Sequence, residues 1–486
     1  MTESFRKNME LTLTIDDLTN EGMGVGKYDG YTIFVKDALI GDTVRASLTK
    51  VKKNYAYARL VQIVEASPDR VTPLCPVAGP CGGCQLQALS YRKQLEFKEK
   101  KVLNNLLHIG NIPQEILQKA AEPIIGMDDP WHYRNKTQFP VQKGKDGKPV
   151  AGFYAGRTHS VIKSDDCALG ISENKTILNI LLDHMQKYQI APYDETTGAG
   201  LVRHILIRKG FATGEILVCA VINGRSMPQE DILARKLAEV PGMKSISLNV
   251  NMDNTNVILG NEVRLLWGED YITDRIGDLS YRISPLSFFQ VNPVQTEKLY
   301  MKALEYAGLQ GNENVWDLYC GAGTISLFLA RNAASVSGVE IVPAAIRDAR
   351  ANAAINGIEN VRFYTGRAEE IFPAESVRKG ILPDVVVLDP PRKGCEESLL
   401  ESILQCSPDR IVYVSCDSAT LARDIRILRE GGYEVERLCP VDMFPMTVHV
   451  ETVCLLGKQD RKPDSYIDFS LDMEDYYRIK GKRDGR

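Results

Sequence analysis

At 486 residues the chain has room for about three domains at roughly 100–200 residues each, and for a sizeable core without disulfide staples. Lys plus Arg number 59 against 63 Asp plus Glu, a formal net charge of −4, with 44% hydrophobic and 25% charged residues. This ordinary composition excludes long disorder, a collagen-like repeat and a supercharged nucleic-acid tail, so any basic surface must be local. Glu3, Arg6, Lys7 and Glu10 interrupt the N-terminus, leaving no apolar stretch for a secretion signal. No apolar run approaches the roughly 18–20 residues of a membrane span. The expectation is a cytoplasmic chain with no membrane partner, whose eleven cysteines are reduced thiols or metal ligands.

From Glu10 to Glu65, short apolar alternations are punctuated by turns: Leu11 to Ile15, the glycines Gly22, Gly24 and Gly26, Tyr31 to Val35, Asp42 to Leu48, and Tyr55 to Ile63. Five short strands with glycines at the corners predict a small closed barrel of the OB type. Lys50, Lys52, Lys53, Tyr55, Tyr57 and Arg59 interleave cations with aromatics, as single-stranded nucleic-acid platforms do; a solvated strand face has the same composition. Next, Cys75, Cys81 and Cys84 cluster around Gly82 and Gly83, and Cys167 lies much later. Four thiolates suit zinc or an iron–sulfur cluster, and the spacing alone leaves the choice open. Leu95, Val102, Leu103, Leu106 and Leu107 predict a helix over Tyr91 to His108. Mixed strands follow to about Arg275, including Leu201 to Arg208 and Glu215 to Ile222, and from Asp278 strand-like and helix-like segments alternate as in a parallel sheet with crossover helices. The last residues, rich in Asp, Lys, Arg and Gly, read as a partly ordered tail.

Val315 to Leu318 is an apolar strand entering the turn Tyr319-Cys320-Gly321-Ala322-Gly323-Thr324, and Ile325 to Ala330 opens a helix. Such glycines admit a ligand close to the backbone at a helix N-terminus. A dinucleotide fingerprint wants Gly or Ala where Ser326 stands. A second strand ends in Glu340, an acidic tip suited to a ribose diol, and Asp317 suits an ammonium group such as the amino-acid end of S-adenosylmethionine. A fourth strand, Asp384 to Leu388, ends in Asp389-Pro390-Pro391-Arg392, where two prolines fix an extended backbone and hold Asp389 at the sheet edge. The fifth, Arg410 to Val414, delivers Ser415-Cys416-Asp417 to that edge.

C5 of a pyrimidine is a weak carbon nucleophile, and a thiolate adding to C6 activates it. Cys416 is placed for that role if the site favours its thiolate, for instance through the helix predicted from Ser418. The extra C5 proton then needs a base, and Glu451, in a late apolar strand, is the candidate.

Asp389-Pro390-Pro391-Arg392, Val414-Ser415-Cys416-Asp417 and His449-Val450-Glu451-Thr452-Val453, in this order, resemble the signatures of the RNA uracil-C5 methyltransferase family, nearest to the bacterial 23S ribosomal RNA enzymes with a TRAM domain and an iron–sulfur cluster. The resemblance implies an α/β fold: a doubly wound Rossmann-like S-adenosylmethionine methyltransferase domain (276–460) after an OB-like TRAM barrel (1–66) and a mixed α+β central domain (67–275), with a tail (461–486). It implies Cys416 as nucleophile, Glu451 as base, and S-adenosylmethionine bound by Gln290, Tyr319, Glu340 and Asp389. It also implies a [4Fe–4S] cluster on Cys75, Cys81, Cys84 and Cys167. Ser287-Phe288-Phe289-Gln290 resembles the entry to the catalytic domain, with Phe288 stacking on an extruded base. Trp131-His132-Tyr133-Arg134-Asn135-Lys136 resembles the central-domain motif, with Arg134 and Lys136 contacting RNA. Cytosine-C5 enzymes carry a second cysteine where Arg392 stands, so uracil is favoured. The expected partner of this monomer is 23S ribosomal RNA, not DNA; the alternatives are a T-loop uridine of transfer RNA, or a catalytically silent RNA-binding assembly factor.

Overall fold

The computed structural model describes residues 5–156, 158–376 and 379–459; the expected tail, 461–486, lies outside the described residues. Strands β1 (Glu10–Leu18), β2 (Gly24–Tyr28), β3 (Tyr31–Lys36), β4 (Thr43–Val51) and β5 (Tyr55–Glu65) close into a barrel in the order β1-β2-β3-β5-β4, with β4 pairing back onto β1. The alternation seen in the sequence becomes inside and outside: Leu11, Leu13 and Ile15 meet Ile33, Val35, Val44 and Leu48 in the barrel core. Lys50, Lys52, Lys53 and Arg59 stay exposed beside the mutually packed rings of Phe34, Tyr55 and Tyr57.

After the cysteine loop, α1 (Tyr91–His108) is capped by Ser90, and α2 (Gln114–Ala120) follows. The buried face of α1 holds Phe97, Val102 and Leu106 as its periodicity requires, but also Gln94 and Lys98. The central sheet has the order β12-β11-β10-β9-β6-β7-β8, built from β6 (Lys136–Lys143), β7 (Pro149–Tyr154), β8 (Val161–Lys163), β9 (Val202–Lys209), β10 (Ile216–Ile222), β11 (Met243–Val250) and β12 (Glu262–Gly268). Helices α3 (Glu173–Lys187) and α4 (Glu230–Ala238) contribute Ile177, Leu181, Leu233 and Leu237 to its core.

A ribbon of β13 (Ile272–Ile276) and β14 (Leu279–Ile283) leads into α5 (Pro293–Ala307) and the last sheet. That sheet runs β17-β16-β15-β18-β19-β21-β20, from β15 (Asn314–Leu318), β16 (Ser335–Glu340), β17 (Val361–Thr365), β18 (Val385–Leu388), β19 (Arg410–Ser415), β20 (Tyr433–Val441) and β21 (Glu451–Lys458). Its helices are α6 (Thr324–Ala330), α7 (Pro343–Ile355), α8 (Ala368–Glu375), α9 (Glu397–Cys406) and α10 (Ser418–Glu430). Successive strand residues enter opposite cores: Val315, Val387 and Val412 face one, Trp316, Leu388 and Tyr413 the other. The fold is thus doubly wound, with its strand order reversing between β15 and β18, where ligands of such sheets bind. The sheet is not wholly parallel, as the alternation suggested, because β21 inserts antiparallel between β19 and β20.

Candidate active site and thiol cavity

The antiparallel insertion decides what the sheet edge can do. Strands β15, β18 and β19 bring their carboxyl ends to that edge, and β21 brings its start. Ser415 pairs with Thr452, so Cys416 and Glu451 are the next positions outward on adjacent strands, and Leu388 pairs with Tyr413 just before Asp389 leaves β18. A cavity of about 980 Å³ opens there, lined by Phe288, Gln290, Tyr319, Glu340, Asp389, Cys416 and Glu451. The structure therefore brings all seven of these expected residues to one cavity. Phe288 is 64% exposed, whereas Phe289 is 2% exposed and packs on Tyr281.

On the cofactor side, Tyr319 holds φ 128°, a conformation that costs energy for a residue with a side chain and that turns the chain at the strand tip. Its N–H and that of Cys320 both donate to Val339 O, at 3.0 and 2.9 Å. Glu340 accepts from Gly321 N at 3.2 Å and from Val342 N at 2.9 Å, tying the acidic tip to the glycine turn. Space is open above Gly321, where an added Cβ would meet nothing within 4 Å. The acidic tip, the open turn and the cavity size fit S-adenosylmethionine. Asp317 does not take the place expected of it: it is fully buried, absent from the cavity wall, and its Oδ2 accepts from Ser326 Oγ at 2.5 Å.

Electrostatically the site is a buried acid cluster. Burial, then Asp389, pushes the Glu451 carboxyl up to about 8. Burial, then Asp317, pushes Asp389 up to about 7. Burial first, with Glu451 and Asp389 adding to it, pushes the Cys416 thiol up to about 12 against the opposing pull of Arg392. The expected help from the helix N-terminus is not available, because Asp417 occupies it, accepting from Ala419 N at 2.9 Å and Thr420 N at 3.3 Å. Cys416 thus rests as a thiol beside carboxyls that can take a proton near neutrality, a combination suited to a nucleophile activated only when its substrate arrives.

Cys75, Cys81, Cys84 and Cys167, though up to 92 residues apart in the chain, line a second cavity of about 420 Å³. Close approach makes this possible: a Cβ on Gly82 would lie 3.1 Å from Gly156 Cα, and Gly82 N donates to Tyr154 O at 3.1 Å. Burial pushes the Cys84 thiol up to about 12, and the other three thiols add to the shift. Among the described residues no group of three His, Cys, Asp or Glu side chains is arranged to hold a metal ion. Four thiols lining one cavity are the donor chemistry that zinc and iron–sulfur clusters share.

Arg134 and Lys136 line this thiol cavity and not the one holding Cys416. Burial, with Arg208 and Arg134 nearby, lowers the Lys136 ammonium to about 8. Between them, Asn135 does what the sequence did not suggest: its Nδ2 donates to Gln290 O and its N–H to Val291 O, each at 2.9 Å, tying the central domain to the Phe288 segment. Arg392, Phe444 and His449 line both cavities and so form their common wall. Of these, Phe444 carried no signal in the sequence, since it sits in a loop with no periodicity.

Residues 230–459 match the family described as tRNA (uracil-5-)-methyltransferase, and residues 6–61 match the TRAM domain. A protein of Clostridium acetobutylicum named as an uncharacterized RNA methyltransferase is 50% identical over 457 residues, covering 94% of this chain and 98% of its own. One of Halalkalibacterium halodurans, similarly named, is 49% identical over 451 residues, covering 93% and 97%. Among solved structures, the Pyrococcus abyssi tRNA (uracil-54, C5)-methyltransferase in complex with S-adenosyl-L-homocysteine is similar with a TM-score of 0.73 and 27% identity, covering 92% of this chain and 100% of that one.

Proposed function

Because the chain belongs to the RNA (uracil-5-)-methyltransferase family and carries a TRAM domain, we propose that it methylates C5 of a uridine in 23S ribosomal RNA through a covalent adduct with Cys416. The observation that carries the chemistry is the placement of Cys416 and Glu451 each one position beyond the Ser415–Thr452 pair, with Asp389 lining the same cavity. S-adenosylmethionine, held by Gln290, Tyr319, Glu340 and Asp389, supplies an electrophilic methyl group. Phe288 stacks on the extruded uracil, replacing its lost neighbours. Cys416 gives up its proton to Asp389 and its sulfur bonds to C6, moving the C5–C6 electrons toward O4 while Glu451 stays ionised for the later step. C5 then attacks the methyl carbon, its bond to the sulfonium sulfur breaks and S-adenosylhomocysteine is released; Glu451 accepts the C5 proton, and the restored double bond expels the Cys416 sulfur.

We read Cys75, Cys81, Cys84 and Cys167, which share one cavity, as the ligands of a [4Fe–4S] cluster with a structural role, since methyl transfer moves no electrons. Barrel and thiol cavity together favour ribosomal RNA. The likeness to the archaeal enzyme favours a second reading, a T-loop uridine of transfer RNA. No helix among the described residues is long and apolar enough to cross a membrane.

Two measurements test this. Mapping 5-methyluridine in ribosomal and transfer RNA with and without the gene decides the substrate; loss confined to transfer RNA overturns the ribosomal reading. With methyl-labelled S-adenosylmethionine, Glu451→Gln accumulates a labelled, denaturation-resistant protein–RNA adduct and Cys416→Ala forms none. Turnover by Cys416→Ala would refute the covalent route, and parental turnover by Glu451→Gln would make Glu451 a core residue.

A further inference from the structure

Ser287 is gripped from two domains. Its carbonyl accepts from Arg208 Nη2 at 2.5 Å, while its hydroxyl donates to Asp348 Oδ2 at 2.8 Å and accepts from Ser284 N at 2.9 Å. Arg208, on β9 of the central sheet, is buried, pairs with no carboxylate among the described residues, and leaves its Nε without a partner. A buried guanidinium without a counter-charge is costly, so holding this carbonyl is an expense of the fold and not a by-product of an ion pair. Asp348 lies on α7, the helix that begins just past Glu340, and it lines the large cavity with Ser284 and Ser287. The residue after Ser287 is Phe288, whose ring is exposed in that cavity, and two residues on, the chain is pinned again by Asn135.

We propose that Asp348, acting through Ser287, is a positioning residue that fixes the ring of Phe288 for the incoming nucleotide and links its placement to the cofactor-side helix α7. A short segment anchored at both ends has little freedom left to lose on binding; with the Asp348 anchor cut, Phe288 must be ordered at the expense of RNA affinity. The inference rests on the stacking role given to Phe288 above.

Steady-state kinetics of the full-length protein on RNA from cells lacking the gene tests it. Asp348→Ala and Ser287→Ala should raise KM for RNA about tenfold, the size of one hydrogen bond to a charged group, with KM for S-adenosylmethionine within about twofold. Asp348→Asn, whose amide oxygen still accepts from Ser287, should restore KM for RNA to within about twofold. In the Phe288→Ala background, adding Asp348→Ala should cost nothing further. Ser287→Ala removes the same bond without altering α7 and stands in if Asp348→Ala misfolds. A parental KM for RNA in Ser287→Ala, an additive double variant, no rescue by Asp348→Asn, or an equal loss of cofactor affinity would each overturn the positioning role. Should Phe288→Ala itself be parental, the stacking role fails and takes this inference with it; an impaired Phe288→Ala beside a parental Ser287→Ala sinks the positioning alone.

Discussion

Lys98 and Asp442 form an ion pair sealed from solvent: Nζ stands 2.5 Å from Oδ1, and neither side chain has accessible surface. Tyr91 Oη donates to the other carboxylate oxygen at 2.9 Å, and Lys98 also donates to Phe444 O at 3.0 Å. The pair joins α1, which follows the cysteine loop, to the segment carrying Phe444 and His449 into Glu451.

Removing one partner should therefore be far worse than removing both. Asp442→Ala leaves a buried ammonium unpaired and should lower unfolding free energy by about 3–5 kcal/mol, while Lys98→Met combined with Asp442→Leu should cost less than either single change. Urea unfolding measures this. Single variants within about 1 kcal/mol of the parent would show that water reaches the pair.

The pH dependence has a definite sign. Glu451 rises from an ordinary 4.5 to about 8 and Asp389 from 3.8 to about 7 on folding, so between those values the folded chain holds protons that the unfolded chain has lost. Their contribution to stability is full below about pH 4 and fades as pH climbs through 7 and 8. Activity should move the other way, kcat/KM for RNA rising over about pH 6–9 as Glu451 becomes a base. Glu451→Gln should be more stable than the parent at pH 9 and equal to it near pH 4; equal melting temperatures at both would contradict the buried-acid assignment.

Anaerobically purified protein should contain about four iron and four sulfide per chain. Cys84→Ser or Cys167→Ser should lose the iron and lower the melting temperature, because the cluster would join the cysteine loop to the central domain. Stoichiometric zinc without iron would refute the cluster.

If the exposed Lys50, Lys52, Lys53 and Arg59 contact phosphates, replacing all four with Gln should weaken RNA binding and flatten its salt slope by about 0.7 per contact for single strands, with kcat at saturating RNA little changed. An unaltered slope would make the stripe an ordinary solvated face.

Sequence alone determined whatever is set by local periodicity or rigid punctuation. Period-two alternation placed the barrel strands, helical spacing placed α1 at Tyr91–His108, and the glycine turn after Leu318 and the prolines after Asp389 marked the sheet edge. Cys416 and Glu451 were legible as strand-end residues within recognisable motifs. Only tertiary structure decided what those residues experience. The pairing of Ser415 with Thr452 joins strands distant in sequence and sets Glu451 beside Cys416 and Asp389, where burial first and then the neighbouring carboxyls raise the Cys416 and Glu451 pKa. Lys98 carried no distinguishing signal in the sequence and is sealed against Asp442, and Arg134 and Lys136, expected to contact RNA, line the same cavity as the four thiols. Asp417, named in the sequence only as part of the Cys416 motif, caps the N-terminus of α10, the helix expected to favour the Cys416 thiolate. Burial and charge depend on which distant segments come together, and that information is spread over the whole chain, not written in the neighbourhood of any one residue.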